Sequence, residues 1–181
     1  GKDDALGRFV NGPEDVVVFP EAVMMMQRWK NDGGLICGVS NQGGIALGLV
    51  SVEQVALALA ETNRQCNGLF DAMSFCQHHP VAKAPEMARC WCRKPSAGAV
   101  AEAVHGLSVI RRRQGNGLPM SATTMFRFSE LLATAFQPRF VDLVNEIYPP
   151  HLALFVGDRE EDRLCAENAS IDFMWAKDWR A

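Results

Sequence analysis

Apolar positions along the chain switch repeatedly between helical and strand-like spacing. Helical spacing first shows over residues 21–31, where Val23, Met24, Met26 and Trp29 are the core candidates. Pro20 suits the first turn, where its missing N–H has no intrahelical acceptor, and Glu21 complements the positive end of the helix dipole. Asp32-Gly33-Gly34 ends this helix. Just upstream, the apolar run over 15–19 is either a short strand or a packed loop. Leu35-Ile36-Cys37-Gly38-Val39-Ser40 is a continuous apolar run entering a polar loop, the pattern of a parallel strand buried on both faces. Ser51, with Gln54 three residues on, predicts a capped helix over 52–66.

The alternation continues. Residues 69–75 predict a second strand, 76–92 a loop rich in Cys, His and Pro, and a helix runs from beyond Pro95 through Ala99 to Val104. Gly115, Gly117 and Pro119 mark a loop after 107–110, which reads as a strand or a helix end. Residues 125–147 are helical in pattern, interrupted at Pro138 and stopped by Tyr148-Pro149-Pro150. The plainest strand is 151–156, followed by a helix over 160–169 and a last strand over 171–173. Strands alternating with helices predict an α/β fold with a parallel sheet. Such sheets bind ligands beyond the carboxyl ends of their strands.

Composition narrows the functional classes. The 181 residues suit a single domain over 1–181, and 48 % hydrophobic content provides for a core. The net charge of −3 argues against a nucleic-acid partner. The one basic run, Arg111-Arg112-Arg113, fits a solvated face. No apolar stretch approaches the ~18–20 residues of a membrane span. The opening Gly1-Lys2-Asp3-Asp4 is charged, so the expectation is a cytoplasmic protein without a membrane partner.

Three polar motifs fall where strands are expected to end. Ser40-Asn41-Gln42-Gly43-Gly44 combines a hydroxyl, an amide and two glycines that can present donors to an oxyanion. Arg93-Lys94 stands just before a helix, where two cations can neutralise a phosphate. Asp158 follows a strand and a glycine, with Asp162 four positions on. That arrangement suits magnesium on Asp158 with support from Asp162, a helix cap at Asp158, or both at once. A fourth constellation, Cys76-Gln77-His78-His79-Pro80 followed by Cys90-Trp91-Cys92, offers three sulfurs and a histidine nitrogen to a tetrahedral zinc. With four protein ligands no position is left for an activated water, so such a zinc is structural. Cys37, Cys66 and Cys165 stand apart and read as small core residues.

In order and placement, Ser40 with Asn41, then Lys94, then Asp158 with Asp162 resemble the second, third and fourth motifs of the haloacid-dehalogenase superfamily. Val39-Ser40-Asn41-Gln42-Gly43-Gly44-Ile45 and the Cys/His segments resemble its zinc-loop branch, the heptose-bisphosphate and histidinol-phosphate phosphatases, over residues 9–105 and 150–176. The resemblance implies a three-layer Rossmann-like fold with a parallel sheet and a zinc loop at 76–92. It selects His78 over His79 as the ligand beside Cys76, Cys90 and Cys92. It implies a magnesium-dependent phosphomonoesterase acting on a small phosphorylated sugar or related metabolite. Ser40 and Asn41 would hold the phosphoryl group, Lys94 with Arg93 would neutralise it, and Asp158 would bind Mg2+.

The same resemblance exposes departures. The superfamily's nucleophile lies on an apolar strand in an Asp-x-Asp pattern. Laid over Gly1-Lys2-Asp3, it places Asp3 at the acid/base position and Gly1 where the nucleophile belongs. Either the sequence begins inside the motif, which is the reading adopted, or the aspartate is lost, or the overlay fails. The second case predicts a non-catalytic phospholigand-binding or assembly protein on the same fold. Gly43 and Leu47 replace a usual Ser and Arg, and Arg159 a usual Lys. The segment 106–149 exceeds the family's link and is expected to be an added helical piece that covers the site or makes a homodimer.

Overall fold

The computed structural model of the protein describes residues 10–103 and 153–181. Asp3 and the readings made for 104–152 lie outside the described residues. The described chain begins with a 3-10 turn at Pro13–Asp15 and continues as helix α1 (Pro20–Asn31), strand β1 (Cys37–Asn41), helix α2 (Val52–Gln65), strand β2 (Ala72–Cys76) and the short helix α3 (Pro85–Ala88). Helix α4 covers 98–103. After it come β3 (Leu154–Gly157), α5 (Glu160–Asn168), β4 (Asp172–Trp175) and α6 (Ala176–Trp179).

Among the described residues all strand pairing is parallel, as the alternating pattern predicts. β1 runs beside β2 with Cys37 opposite Ala72 and Asn41 opposite Cys76. β3 runs beside β4 with Leu154 opposite Asp172 and Gly157 opposite Trp175. Among the described residues these form two separate two-stranded sheets. Both pairs therefore present their carboxyl ends to the segments that carry the polar motifs.

Helix α2 shows how local chemistry sets a boundary. Ser51 Oγ accepts from the N–H of Gln54 at 3.1 Å, and Gln54 Oε1 accepts from the N–H of Ser51 at 2.9 Å. Two otherwise orphaned donors are satisfied reciprocally. One face of α2 then buries Val55 and Leu59 against Met73 of β2, with Ile45, Val50, Phe70 and Phe75 around them. Met26 of α1 packs with Cys66 and Leu69 in a second cluster, and Val100 of α4 with Cys165 and Ala169 in a third.

Several expectations need correction. Residues 16–19 take the packed-loop form of the two expected for that run: Val16 is buried while Val17 is 75 % exposed. On α1 only Met26 is buried and Val23 packs beside it; Met24 and Trp29 face outward, and the Trp29 indole N–H donates to the Leu35 carbonyl at 3.0 Å. β1 is half-buried along its length. Cys37 is likewise half-buried, whereas Cys66 and Cys165 are buried as expected.

Both strands of the first pair start later than the apolar runs suggest, and Asp71 is the reason. Its carboxylate accepts the Ile36 N–H at 2.7 Å and binds Lys30 Nζ at 2.7 and 2.8 Å. A side chain thus takes the donor that a ladder would use, and regular pairing begins one residue on. Replacing Ser51 with alanine is expected to lower stability by about 1 kcal/mol in urea unfolding. An unchanged midpoint would contradict the cap.

Candidate active site and metal centre

The site grows from the ends of β1 and β2, which leave the sheet at the same level. Gln42 N–H donates to the Cys76 carbonyl at 2.7 Å, and Ala46 N–H to that of Gln77 at 3.2 Å. The polar loop after β1 and the cysteine-rich loop after β2 are therefore laced together.

In that second loop Cys76, His78, Cys90 and Cys92 bring their ligand atoms within 4.8 Å of one another. Cys76 Sγ lies 3.6 Å from both Cys90 Sγ and His78 Nδ1, and Cys92 Sγ lies 3.4 Å from His78 Nδ1. A tetrahedral zinc with ordinary bond lengths would set such atoms about 3.5–3.8 Å apart. The side chains thus fit that ion with little movement. His79 stands outside the cluster, and its Nδ1 accepts the Val81 N–H at 3.3 Å. Hydrogen bonding, chiefly with Cys92, holds the Cys76 thiol down at about 5, against a usual 9.0. The contact with Cys76, above all, raises Cys92, and burial followed by the Cys76 charge raises Cys90. A metal entering this cluster must displace the protons retained there.

The loop continues into Arg93 and Lys94. Arg93 Nη1 donates to the His78 carbonyl at 3.0 Å. A β-carbon at Gly43 would fall 2.7 Å from the His79 ring and 3.0 Å from Arg93 Nη1. A larger residue at this position would have to displace that ring and guanidinium. Lys94 is the junction of the whole site. Its Nζ donates to Asp162 Oδ1 at 2.5 Å and to the Val39 carbonyl at 3.2 Å. Both partners of this ion pair are nearly buried, their side chains 11 % and 4 % exposed. An ammonium carries three hydrogens, and these contacts use two of them.

Asp162 is held as firmly as it holds. Its Oδ2 accepts the backbone N–H of Asp158 at 3.2 Å and of Arg159 at 3.1 Å. A β-carbon at Gly157 would overlap its side chain, so the glycine before Asp158 lets the first turn of α5 fold against the strand end. The N-cap of α5 is Arg159, so the capping alternative for Asp158 does not hold. The Asp158 carboxylate is exposed just past β3.

At the end of β1, Ser40 Oγ accepts from Gln42 Nε2 at 2.8 Å, which leaves its own hydrogen to donate elsewhere. Asn41 addresses the backbone of Lys94 in both directions: Oδ1 accepts the Lys94 N–H at 3.0 Å, and Nδ2 donates to the Lys94 carbonyl at 3.1 Å. Its second amide hydrogen faces Glu161 Oε1 at 3.5 Å. The structure thus joins Asn41, Lys94 and Asp162 directly, with Ser40 and Asp158 adjacent in the chain to groups that Lys94 and Asp162 bind. Gln42 and Glu161 are functional neighbours that sequence reasoning missed; the Asn-Gln pair and the acidic run after Asp158 are their only signals.

Replacing Asp162 with alanine strands a buried ammonium and frees two N–H groups. The expected loss is about 3–5 kcal/mol in chemical unfolding, with asparagine at the same position losing less. Equal stability of the alanine variant would contradict the role given to the pair.

No family model matches the chain. A Thermoplasma volcanium protein named as a D-glycero-D-manno-heptose-1,7-bisphosphate 7-phosphatase is 31% identical over 104 residues, 56% of this chain and 67% of that protein. The D-glycero-beta-D-manno-heptose-1,7-bisphosphate 7-phosphatase of Haemophilus ducreyi is 30% identical over 89 residues, 46% of this chain and 48% of its own length. The chain thus spans about two thirds of the first relative and about half of the second. The crystal structure of D,D-heptose 1,7-bisphosphate phosphatase from B. bronchiseptica, complexed with magnesium and phosphate, has a TM-score of 0.58 to this protein at 18% identity, covering 94% of this chain and 71% of that one. That likeness establishes the Rossmann-like α/β fold, and with the sequence relatives it places the chain: it belongs to the haloacid-dehalogenase-like phosphatases.

Proposed function

We propose that the protein is a magnesium-dependent phosphomonoesterase acting on a small phosphorylated sugar or related metabolite. The observation that carries this reading is Lys94, a nearly buried ammonium held between β1 and the start of α5 by the Val39 carbonyl and Asp162. Neither of those partners consumes its third hydrogen, which is available to a phosphoryl oxygen. Ser40 would donate its hydroxyl hydrogen to the same group, since Gln42 already supplies the hydrogen bond that its oxygen accepts. Asn41 would turn its second amide hydrogen from Glu161 to the phosphate. Asp158 would hold the magnesium ion, which when bound supplies positive charge to the transferring phosphoryl group. Asp3 would serve as acid and base, the role its place in the overlay implies.

The Cys76, His78, Cys90 and Cys92 cluster would hold a structural zinc. The four donors fill a tetrahedron, so the ion would carry no reacting water. Its contribution would be mechanical. Cys92 immediately precedes Arg93 and Lys94, so fixing that sulfur fixes the two cations. Arg93, bonded to the His78 carbonyl, would lend its charge from the rim. Residues 76–92 are then a metal-pinned loop of a single domain.

Release of inorganic phosphate from phosphorylated sugars in the presence of magnesium tests the assignment. The assay is run on the chain as it stands and on a form carrying the upstream strand that the family pattern calls for. Turnover should appear in the extended form and fall by roughly 10²-fold or more in Lys94→Ala. Phosphate binding without turnover in either form would contradict catalysis and support the phospholigand-binding alternative.

Metal analysis provides an independent check. About one zinc per chain is expected, as one tetrahedral site implies. Its apparent affinity should fall as pH is lowered, because Cys90 and Cys92 must give up protons raised above their ordinary range. Zinc affinity independent of pH between about 6 and 9, or freshly purified protein without zinc, would contradict the site.

A further inference from the structure

Of the two adjacent histidines in the cysteine-rich loop, the metal cluster uses His78 and leaves out His79. His79 is nevertheless held firmly. Its backbone N–H donates to the Met87 carbonyl at 2.9 Å, and its carbonyl accepts the Ala82 N–H at 2.9 Å. Its Nδ1 lies 3.3 Å from the Val81 N–H. A backbone amide can only donate, so Nδ1 is the acceptor and the ring hydrogen belongs on Nε2. Among the described residues none accepts that hydrogen. The ring is half-buried, so its donor is fixed in direction and unspent.

The location of the ring shows what it can serve. A β-carbon at Gly43 would fall 2.7 Å from His79 Cδ2 and 3.0 Å from Arg93 Nη1, so ring and guanidinium approach one point on the loop after β1. Cδ2 is bonded to Nε2. The edge that bears the hydrogen is therefore the one turned toward Gly43, and the Nδ1 edge is turned toward Val81. Gly43 follows Gln42, whose amide holds the Ser40 hydroxyl, and Arg93 precedes Lys94. His79 thus borders the groups assigned to the phosphoryl group without being one of them. The alcohol portion of a phosphomonoester seated there has no room toward the buried Lys94 and Asp162 pair. It must pass out over the rim, where His79 and Arg93 stand on the side of β1. In this tautomer the ring is neutral, so it offers a directed hydrogen bond rather than charge. A hydroxyl oxygen satisfies such a donor, and an aryl group leaves it unpaired.

We propose that His79 is a specificity-determining residue: its Nε2–H, beside the Arg93 guanidinium, donates to a hydroxyl oxygen on the alcohol portion of the substrate. This rests on the phosphatase reading, with the phosphoryl group at Ser40, Asn41 and Lys94. It divides the work of two neighbouring imidazoles. His78 anchors the loop through the metal cluster, and His79 reads the ligand.

The test uses two substitutions that separate the two nitrogens. His79→Asn keeps an acceptor near the Nδ1 position for the Val81 N–H and removes the donor at the Nε2 position. His79→Gln keeps a donor near the Nε2 position and gives up the bond to Val81. Dissociation constants are measured by calorimetry with magnesium for inorganic phosphate, phenyl phosphate, glucose 6-phosphate, ribose 5-phosphate and glycerol 3-phosphate. Wild type should bind at least one of the three polyol esters more tightly than phenyl phosphate. His79→Asn should weaken that ester about 3–10-fold, as loss of one hydrogen bond implies, and leave inorganic phosphate and phenyl phosphate within about twofold. His79→Gln should retain most of the wild-type preference. Zinc content and unfolding midpoint should match wild type in the asparagine variant. Polyol esters bound no more tightly than phenyl phosphate by wild type would overturn the proposal. So would unchanged preference in His79→Asn, or a loss in His79→Gln alone, which would make the Val81 bond the only role of the ring. Wild type that binds none of the five ligands would remove the phosphatase reading itself, and the role of His79 with it.

Discussion

A buried ammonium needs partners, and the arrangement of this site follows from the ones Lys94 has. Asp162 neutralises it at 2.5 Å and the Val39 carbonyl takes a second hydrogen. Because Val39 belongs to β1 and Asp162 to α5, one side chain ties the end of the first strand pair to the end of the second. A pair this secluded gains from Coulomb attraction only if its remaining hydrogen-bonding capacity is also met. Asp162 meets that condition with the N–H groups of Asp158 and Arg159. The result is a charge fixed in place before any ligand arrives, the kind of preorganisation that stabilises charge developing during phosphoryl transfer.

The metal cluster extends this constraint outward. The loop after β2 has little apolar material of its own, so ligation offers the means to hold it. Its two ends are anchored differently: Cys76 is fully buried at the end of β2, while Cys92 leads into Arg93 and Lys94. Asn41 then clasps the backbone of Lys94 from the neighbouring strand. Cys92 and Lys94 are separated in the chain only by Arg93, with no loose linker between the sulfurs and the ammonium.

Much of this was legible in the sequence because the motifs coincide with strand ends, where apolar runs give way to polar residues. The Ser51 box, the helices and the Cys/His grouping follow from short-range spacing. What could not be read depends on contacts between distant positions. The commitment of Asn41 to Lys94 joins residues 53 apart, and nothing near Asn41 announces it. Asp71, inside an apolar run, has the look of part of a strand; in fact it receives Ile36 N–H and Lys30 and delays the pairing. Glu102, in an alanine-rich helix, has the pattern of a solvated face, and only its burial against Ser74 shows otherwise. Met24 and Trp29 face outward because α1 buries a narrower stripe than its apolar content suggests.

The central claim is that the ends of β1 and β3, joined through Lys94, form one anion-binding hollow. A crystal structure of the protein soaked with magnesium and inorganic phosphate tests it most directly. The account predicts phosphate within hydrogen-bonding distance of Lys94 Nζ and Ser40 Oγ, with magnesium between the phosphate and Asp158. Phosphate ordered elsewhere, with Lys94 Nζ unchanged and Asp158 without an ion, would contradict it.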